Sequence, residues 1–147
     1  MVSRMEFSVG VDLVEIDRFK RLNYHDNRRF YDRVFTPDEI KQCLSSANPA
    51  PHFAANFSAK EAVYKALNKY ANLRLDEIEV LRARDGAPYV NLTPGKRKKA
   101  KKGRRRQEPA FEIKLSLSHV ASHAIAFVVA RPLENFGESS AGYGRCP

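Results

Sequence analysis

The chain has 147 residues, 43% of them hydrophobic, which suits one globular domain and leaves little room for a second. No stretch approaches the roughly 20 consecutive apolar residues of a membrane helix. Lys and Arg outnumber Asp and Glu by 26 to 17, but residues 96–106, KRKKAKKGRRR, hold nine of those cations, so the rest of the chain is neutral and the excess belongs to one segment.

The first predicted element is a strand over residues 6–13. Phe7, Val9, Val11 and Leu13 alternate with Ser8, Gly10 and Asp12, the period of a half-buried strand, which places Asp12 opposite the apolar set and near the strand's end. Glu6 and Asp12 also interrupt any apolar leader core, so no secretory signal is expected and the expected location is the cytoplasm. A short helix follows, with Ile16, Phe19 and Leu22 on one side. Thr36-Pro37-Asp38-Glu39 is a helix start in which Thr36 caps, Pro37 opens the first turn and Glu39 completes a capping box. Ile40, Cys43 and Leu44 are its predicted buried stripe. The longest predicted helix covers about residues 52–71, with Phe53, Phe57, Tyr64 and Leu67 on one face. Lys60 sits in the middle of that face, where a lysine must either snorkel or meet an anion. Glu61 and Lys65 form an i,i+4 pair on the adjoining flank.

Asp85-Gly86 between residues 78–84 and 88–92 predicts a hairpin. Residues 94–109 read as a basic loop insertion. From 111 to 119, Phe111, Ile113, Leu115 and Leu117 alternate with polar residues, and His119 falls in register with the apolar set. Residues 124–130 form a continuous apolar run, expected to be a strand buried on both faces. Residues 134–147 are rich in Gly and Ser and are expected to form a disordered tail. Cys43 and Cys146 are the only cysteines, which excludes a disulfide framework and a cysteine zinc site. Helices early and strands late predict an α+β fold with an antiparallel sheet, a single domain over residues 1–133.

No phosphate-binding glycine loop, dinucleotide fingerprint, zinc-protease motif or serine-hydrolase elbow occurs. Asp12, the Lys60-Glu61 pair, Lys65 and the Ser118-His119 pair remain as candidates for chemistry. Two converging carboxylates can hold Mg²⁺, which takes oxygen donors and commonly shares them with phosphate. Lysines and a histidine beside them complement a phosphorylated substrate. Spacing alone leaves other readings open: Asp12 as a turn residue, Glu61–Lys65 as a solvated pair, His119 as a strand-end histidine, and residues 96–106 as a solvated loop.

Read together, five segments resemble the holo-acyl-carrier-protein synthases, the small type of 4′-phosphopantetheinyl transferase. GVDLVEIDRF resembles the opening motif, and HFAANFSAKEAVYKAL is similar to the helix motif Phe-Ala-x-Arg-Phe-x-x-Lys-Glu-Ala-x-x-Lys-Ala. FTPDEI, DGAPYV and SLSHVASHAIAFVVA resemble the intervening segment, the Gly-x-Pro-Tyr hairpin and the closing Ser-x-Ser-His motif. They occur in order over about residues 6–131. The resemblance implies the transferase fold of single-domain trimers, with sites between protomers. It implies Mg²⁺-dependent transfer of 4′-phosphopantetheine from coenzyme A to a serine hydroxyl of apo acyl carrier protein, releasing adenosine 3′,5′-bisphosphate. Carried over by position, Asp12 and Glu61 would hold Mg²⁺ with the coenzyme's pyrophosphate, and Glu61 would help to deprotonate the serine. Lys65 would neutralise the pyrophosphate and assist the leaving group, while Lys60, Ser118 and His119 would contact phosphates. Arg18, Arg21, Arg28 and Arg29 lie where the family docks the acidic helix of the carrier protein.

Two departures stand out. Asn56 replaces the motif's Arg, so one phosphate or carrier contact is lost or supplied elsewhere. The basic run is the second. A nucleic-acid-binding module acting through residues 96–106 is the competing expectation, weakened by the absence of interleaved aromatics and of any nucleic-acid motif. A catalytically silent family member is a third, opposed by the presence of Asp12, Glu61, Lys65 and His119.

Overall fold

The computed structural model describes residues 6–93 and 110–133. The expected basic insertion over 94–109 and the expected tail over 134–147 lie outside the described residues. The elements are β1 (Ser8–Glu15), α1 (Ile16–Arg21), α2 (Arg28–Val34), α3 (Pro37–Leu44), α4 (Pro49–Leu67), β2 (Ile78–Arg82), β3 (Pro88–Leu92), β4 (Phe111–His119) and β5 (His123–Pro132). Three strands form an antiparallel sheet in the order β1-β5-β4, and β2 and β3 form a separate hairpin. The α+β class with antiparallel pairing is therefore correct. None of the helices among the described residues is long and apolar enough to cross a membrane.

The sheet turns one face to α4, and the outward residues of its other face are exposed among the described residues. Ala124, Ala126, Val128 and Ala130 of β5 are buried under α4, whereas Ile125 and Phe127 are 41% and 49% exposed. The expectation that β5 is buried on both faces is corrected accordingly. β1 is inverted in the same way. Its small residues, Ser8 and Gly10, face the helix, while Phe7, Val9, Val11 and Leu13 are all more than half exposed. Register aligns the outward residues: Val9 pairs with Val129, Val11 with Phe127 and Leu13 with Ile125. The alternation was legible in the sequence, but the apolar set points away from this protomer's core. At Gly10 α4 comes too close to β1 for any side chain, whereas further along the same face Val14 is accommodated in the core.

Gly10 measures that closeness. A Cβ placed there would stand 1.9 Å from the carbonyl oxygen of Ala62 in α4, and neither backbone can step aside cheaply. Overpacking of this kind typically costs about 1–3 kcal/mol, and a backbone obstacle puts Gly10→Ala at or above the upper end. A thermal melt should show the loss. A wild-type midpoint would mean that α4 and β1 are not in this contact.

The Thr36 capping box forms as expected, with the Glu39 N–H donating to Thr36 Oγ1 and the Thr36 N–H donating to Glu39 Oε2. Ile40 and Cys43 are buried as expected, but Leu44 is 38% exposed. α4 begins at Pro49 and ends at Leu67, earlier at both ends than the sequence suggests, because both prolines fit the first turn, where their missing N–H groups cost nothing. Helix α2 was not predicted from sequence. It is held by aromatic packing: Tyr31 lies 4.6 Å from Phe53 and 5.6 Å from Phe35 between ring centroids, and its hydroxyl donates to the Leu22 carbonyl. Gly86 adopts φ of 86° in the β2–β3 turn, which accounts for glycine in the Asp-Gly pair.

Candidate active site

The second half of α4 leans against β1, and this contact brings Asp12, Glu61 and Lys65 together. Lys65 Nζ lies 2.8 Å from Asp12 Oδ1 and donates to the Val11 carbonyl at 3.0 Å. Glu61, one helical turn before Lys65, is half-buried. Burial raises its pKa above the usual carboxylate range and the charge on Asp12 raises it further, while Lys65 and Arg18 act in the opposite direction. Arg18, on α1, is stationed over the Phe57 ring at 5.1 Å from its centroid. Two carboxylates that repel each other thus lie near two cations beside the α4–β1 contact.

Such a donor set suits a small divalent cation. Among the described residues no group of three or more His, Cys, Asp or Glu side chains is placed to hold a metal on its own. Mg²⁺ needs no such cage, since it commonly takes one or two carboxylates and completes its shell with water and substrate phosphates. The mutual repulsion of Asp12 and Glu61 is what a bound cation would relieve. The residues present therefore fit the ion.

The other predicted site residues lie elsewhere. Lys60 does not face this pocket: it is fully buried, with Nζ 2.6 Å from Glu39 Oε2 and donating to the carbonyls of Leu75 and Ile78. The expectation of a phosphate contact from Lys60 is corrected, since the anion that this lysine meets belongs to α3. Burial raises the pKa of Glu39 and lowers that of Lys60, while their mutual contact and the N–H groups of Thr36 and Val80 act in the opposite direction. Ser118 and His119 point to opposite faces of β4, as neighbours in a strand must. Ser118 is exposed beside Ile125, its register partner. His119 is exposed and opens onto a cavity of about 350 Å³ between the start of α4, the β2–β3 hairpin and β4. Arg18, Arg21, Arg28 and Arg29 are all exposed, and Arg28 donates to the Tyr24 hydroxyl at 3.1 Å.

Sequence reasoning overlooked two residues of the His119 cavity, His52 and Arg82. The signal that could have found Arg82 was Asn56: a motif lacking its arginine raises the question of which residue replaces it.

A family model for the 4′-phosphopantetheinyl transferase superfamily matches residues 8–128, a span that includes Asp12, Glu61, Lys65 and His119. The chain belongs to the 4′-phosphopantetheinyl transferase superfamily. Its curated relatives include the holo-acyl-carrier-protein synthase of Thermodesulfovibrio yellowstonii, 43% identical over 121 residues, covering 82% of this chain and 95% of that protein. The synthase of Dehalococcoides mccartyi is 42% identical, covering 83% and 96%. Among solved structures, the Chronobacterium ammoniagenes ACPS–CoA complex superposes with a TM-score of 0.66 at 26% identity, covering 88% of this chain and 99% of that one. This member of the superfamily is accordingly a transferase.

Proposed function

We propose that this transferase moves the 4′-phosphopantetheine group from coenzyme A to a serine hydroxyl of an apo acyl carrier protein, with Mg²⁺ held between Asp12 and Glu61. The observation that carries the proposal is the convergence of Asp12, Glu61 and Lys65 across the α4–β1 contact. The names of the curated relatives and the coenzyme-bound neighbour support it.

The chemistry follows from the charges. The serine oxygen attacks the phosphorus on the pantetheine side of the pyrophosphate, a new P–O bond forms, and the bridging P–O bond breaks. The electron pair leaves with adenosine 3′,5′-bisphosphate. Glu61, whose burial strengthens its hold on a proton, accepts the serine proton. Lys65, which in this structure rests on Asp12, neutralises charge on the phosphoryl oxygens and the departing phosphate. Mg²⁺, when bound, supplies further charge neutralisation at the pyrophosphate. Arg18, Arg21, Arg28 and Arg29 offer cations to an acidic carrier helix, an arrangement that chiefly speeds encounter. The proposed setting is the reducing cytoplasm, in keeping with the free thiol of Cys43.

The proposed assembly is a homotrimer. Its support is the open sheet face, where Val9, Val11, Leu13, Ile125 and Phe127 form a contiguous apolar patch of the kind that marks an interface. The trimer also has a functional reason. Glu61 and His52 stand nine residues apart on α4, about 13 Å of helical rise. Neighbouring protomers can bring the carboxylate pair of one and the His119 cavity of the other to a single coenzyme. Phe127→Asp should therefore yield a folded monomer by sedimentation and lose transfer activity, and a trimer that survives this change would refute the assigned interface.

The metal requirement has its own test. With coenzyme A and apo carrier protein, release of adenosine 3′,5′-bisphosphate should stop on chelation and return with added Mg²⁺. Release that persists under chelation would contradict the role given to Asp12 and Glu61.

A further inference from the structure

Lys65 takes a partner that its place on a helix does not suggest. Glu61, its i,i+4 neighbour, is the partner that spacing offers. Among the described residues, however, the Lys65 ion pair is with Asp12, 53 residues away in sequence. Its Nζ stands 2.8 Å from Asp12 Oδ1 and donates to the Val11 carbonyl at 3.0 Å. β1 is an edge strand, which leaves carbonyls on its outer side free to accept from side chains.

A carboxylate oxygen and a backbone carbonyl oxygen are also donors that a hard divalent cation takes. The Lys65 ammonium therefore sits on the oxygens that suit Mg²⁺, and it carries charge of the same sign. The two partners differ in freedom. Only 17% of the Asp12 side chain is exposed, so an ammonium seated on Oδ1 covers much of the remaining approach. Lys65 is 49% exposed in its side chain, and its flexible four-carbon stem can turn to another anion while α4 stays in place.

We propose that Lys65 is a placeholder for the metal: its ammonium competes with Mg²⁺ for Asp12, and its transfer to the coenzyme's pyrophosphate opens the site to the ion. This rests on the coenzyme and metal reading above. Without a pyrophosphate, Mg²⁺ must displace a cation from Asp12 and then remain beside it, with like charges repelling. With one, Lys65 gains phosphoryl oxygens as partners and Asp12 is released. Ion and coenzyme then strengthen each other's binding. The coupling is reciprocal, so coenzyme A tightens the metal by the factor by which the metal tightens coenzyme A. Lys65 thus makes the protein take up its cation together with the substrate.

Binding of Mn²⁺ to the full chain, read from the electron paramagnetic resonance of the free ion with and without coenzyme A, tests it. Without coenzyme, Lys65→Gln should bind Mn²⁺ about tenfold more tightly than the wild type, within the usual range of couplings between sites. Lys65→Arg keeps the charge and should stay at the wild-type value. Saturating coenzyme A should tighten Mn²⁺ more in the wild type than in Lys65→Gln. A Lys65→Gln variant that binds Mn²⁺ no more tightly than the wild type, or equal gains from coenzyme A in both, overturns the placeholder role and leaves the transferase reading standing. A wild type whose Mn²⁺ affinity does not respond to coenzyme A overturns it without any variant. Protein that binds coenzyme A but no Mn²⁺ in any of these forms overturns the metal reading as well.

Discussion

Glu61→Gln is expected to lower phosphopantetheine transfer about 10²–10⁴-fold, the usual contribution of a positioned general base. The change keeps the side chain's shape and the adjacent Lys65–Asp12 contact, so the loss would reflect the missing charge rather than a displaced helix. The same change should make the protein slightly more stable at neutral pH. Because burial and Asp12 raise the Glu61 pKa in the folded state, ionised Glu61 works against folding. Its favourable contribution is full below the unfolded-state value and is lost as pH rises through the folded value. The stability advantage of Glu61→Gln should therefore be present at pH 7 and vanish in acid, where the wild-type carboxyl is protonated as well. Single-turnover transfer and thermal melts across pH separate the two effects. Activity within twofold of wild type would reduce Glu61–Lys65 to a solvated helix pair.

Lys60→Met is expected to show the opposite pattern. It leaves the Glu39 carboxylate fully buried without its cation, an arrangement that costs about 3–5 kcal/mol in comparable cases. That is a large share of the roughly 5–15 kcal/mol that holds a domain together. Adding Glu39→Gln should recover much of it, because the second change removes the stranded charge. Coenzyme affinity of the folded fraction should stay at the wild-type value, since Lys60 Nζ is engaged by Glu39 and two carbonyls. A specific rise in KM for coenzyme A, with stability unchanged, would return Lys60 to the binding site.

Neighbouring residues on α4 thus have different fates. Lys60 and Glu61 are one position apart, so they point about 100° from each other on a helix, and sequence adjacency carries no information about a shared site. The resemblance to a known family located Asp12, Glu61 and Lys65, and the structure brings them together. Local patterns were enough for the capping box at Thr36, the Asp-Gly hairpin and the extent of β4. They failed where the deciding fact was long-range. The period-two alternation of β1 identifies two faces but not which one α4 covers, and that choice depends on the Gly10–Ala62 approach. The apolar run of β5 looks the same whether its second face meets a core or remains open. Helix α2 escaped notice because its stability comes from aromatic partners on α1 and α4, not from caps or periodicity. Arg82 is 26 residues from Asn56 in sequence, a separation that no motif spans.

The most direct test of the central claim is the intact mass of an apo acyl carrier protein after incubation with this protein, coenzyme A and Mg²⁺, alongside the Glu61→Gln variant. The account predicts that the carrier gains the mass of one phosphopantetheine arm with the wild type and not with the variant over the same time. A carrier that stays apo with a folded, coenzyme-binding wild type, or that is modified equally by both proteins, would contradict it.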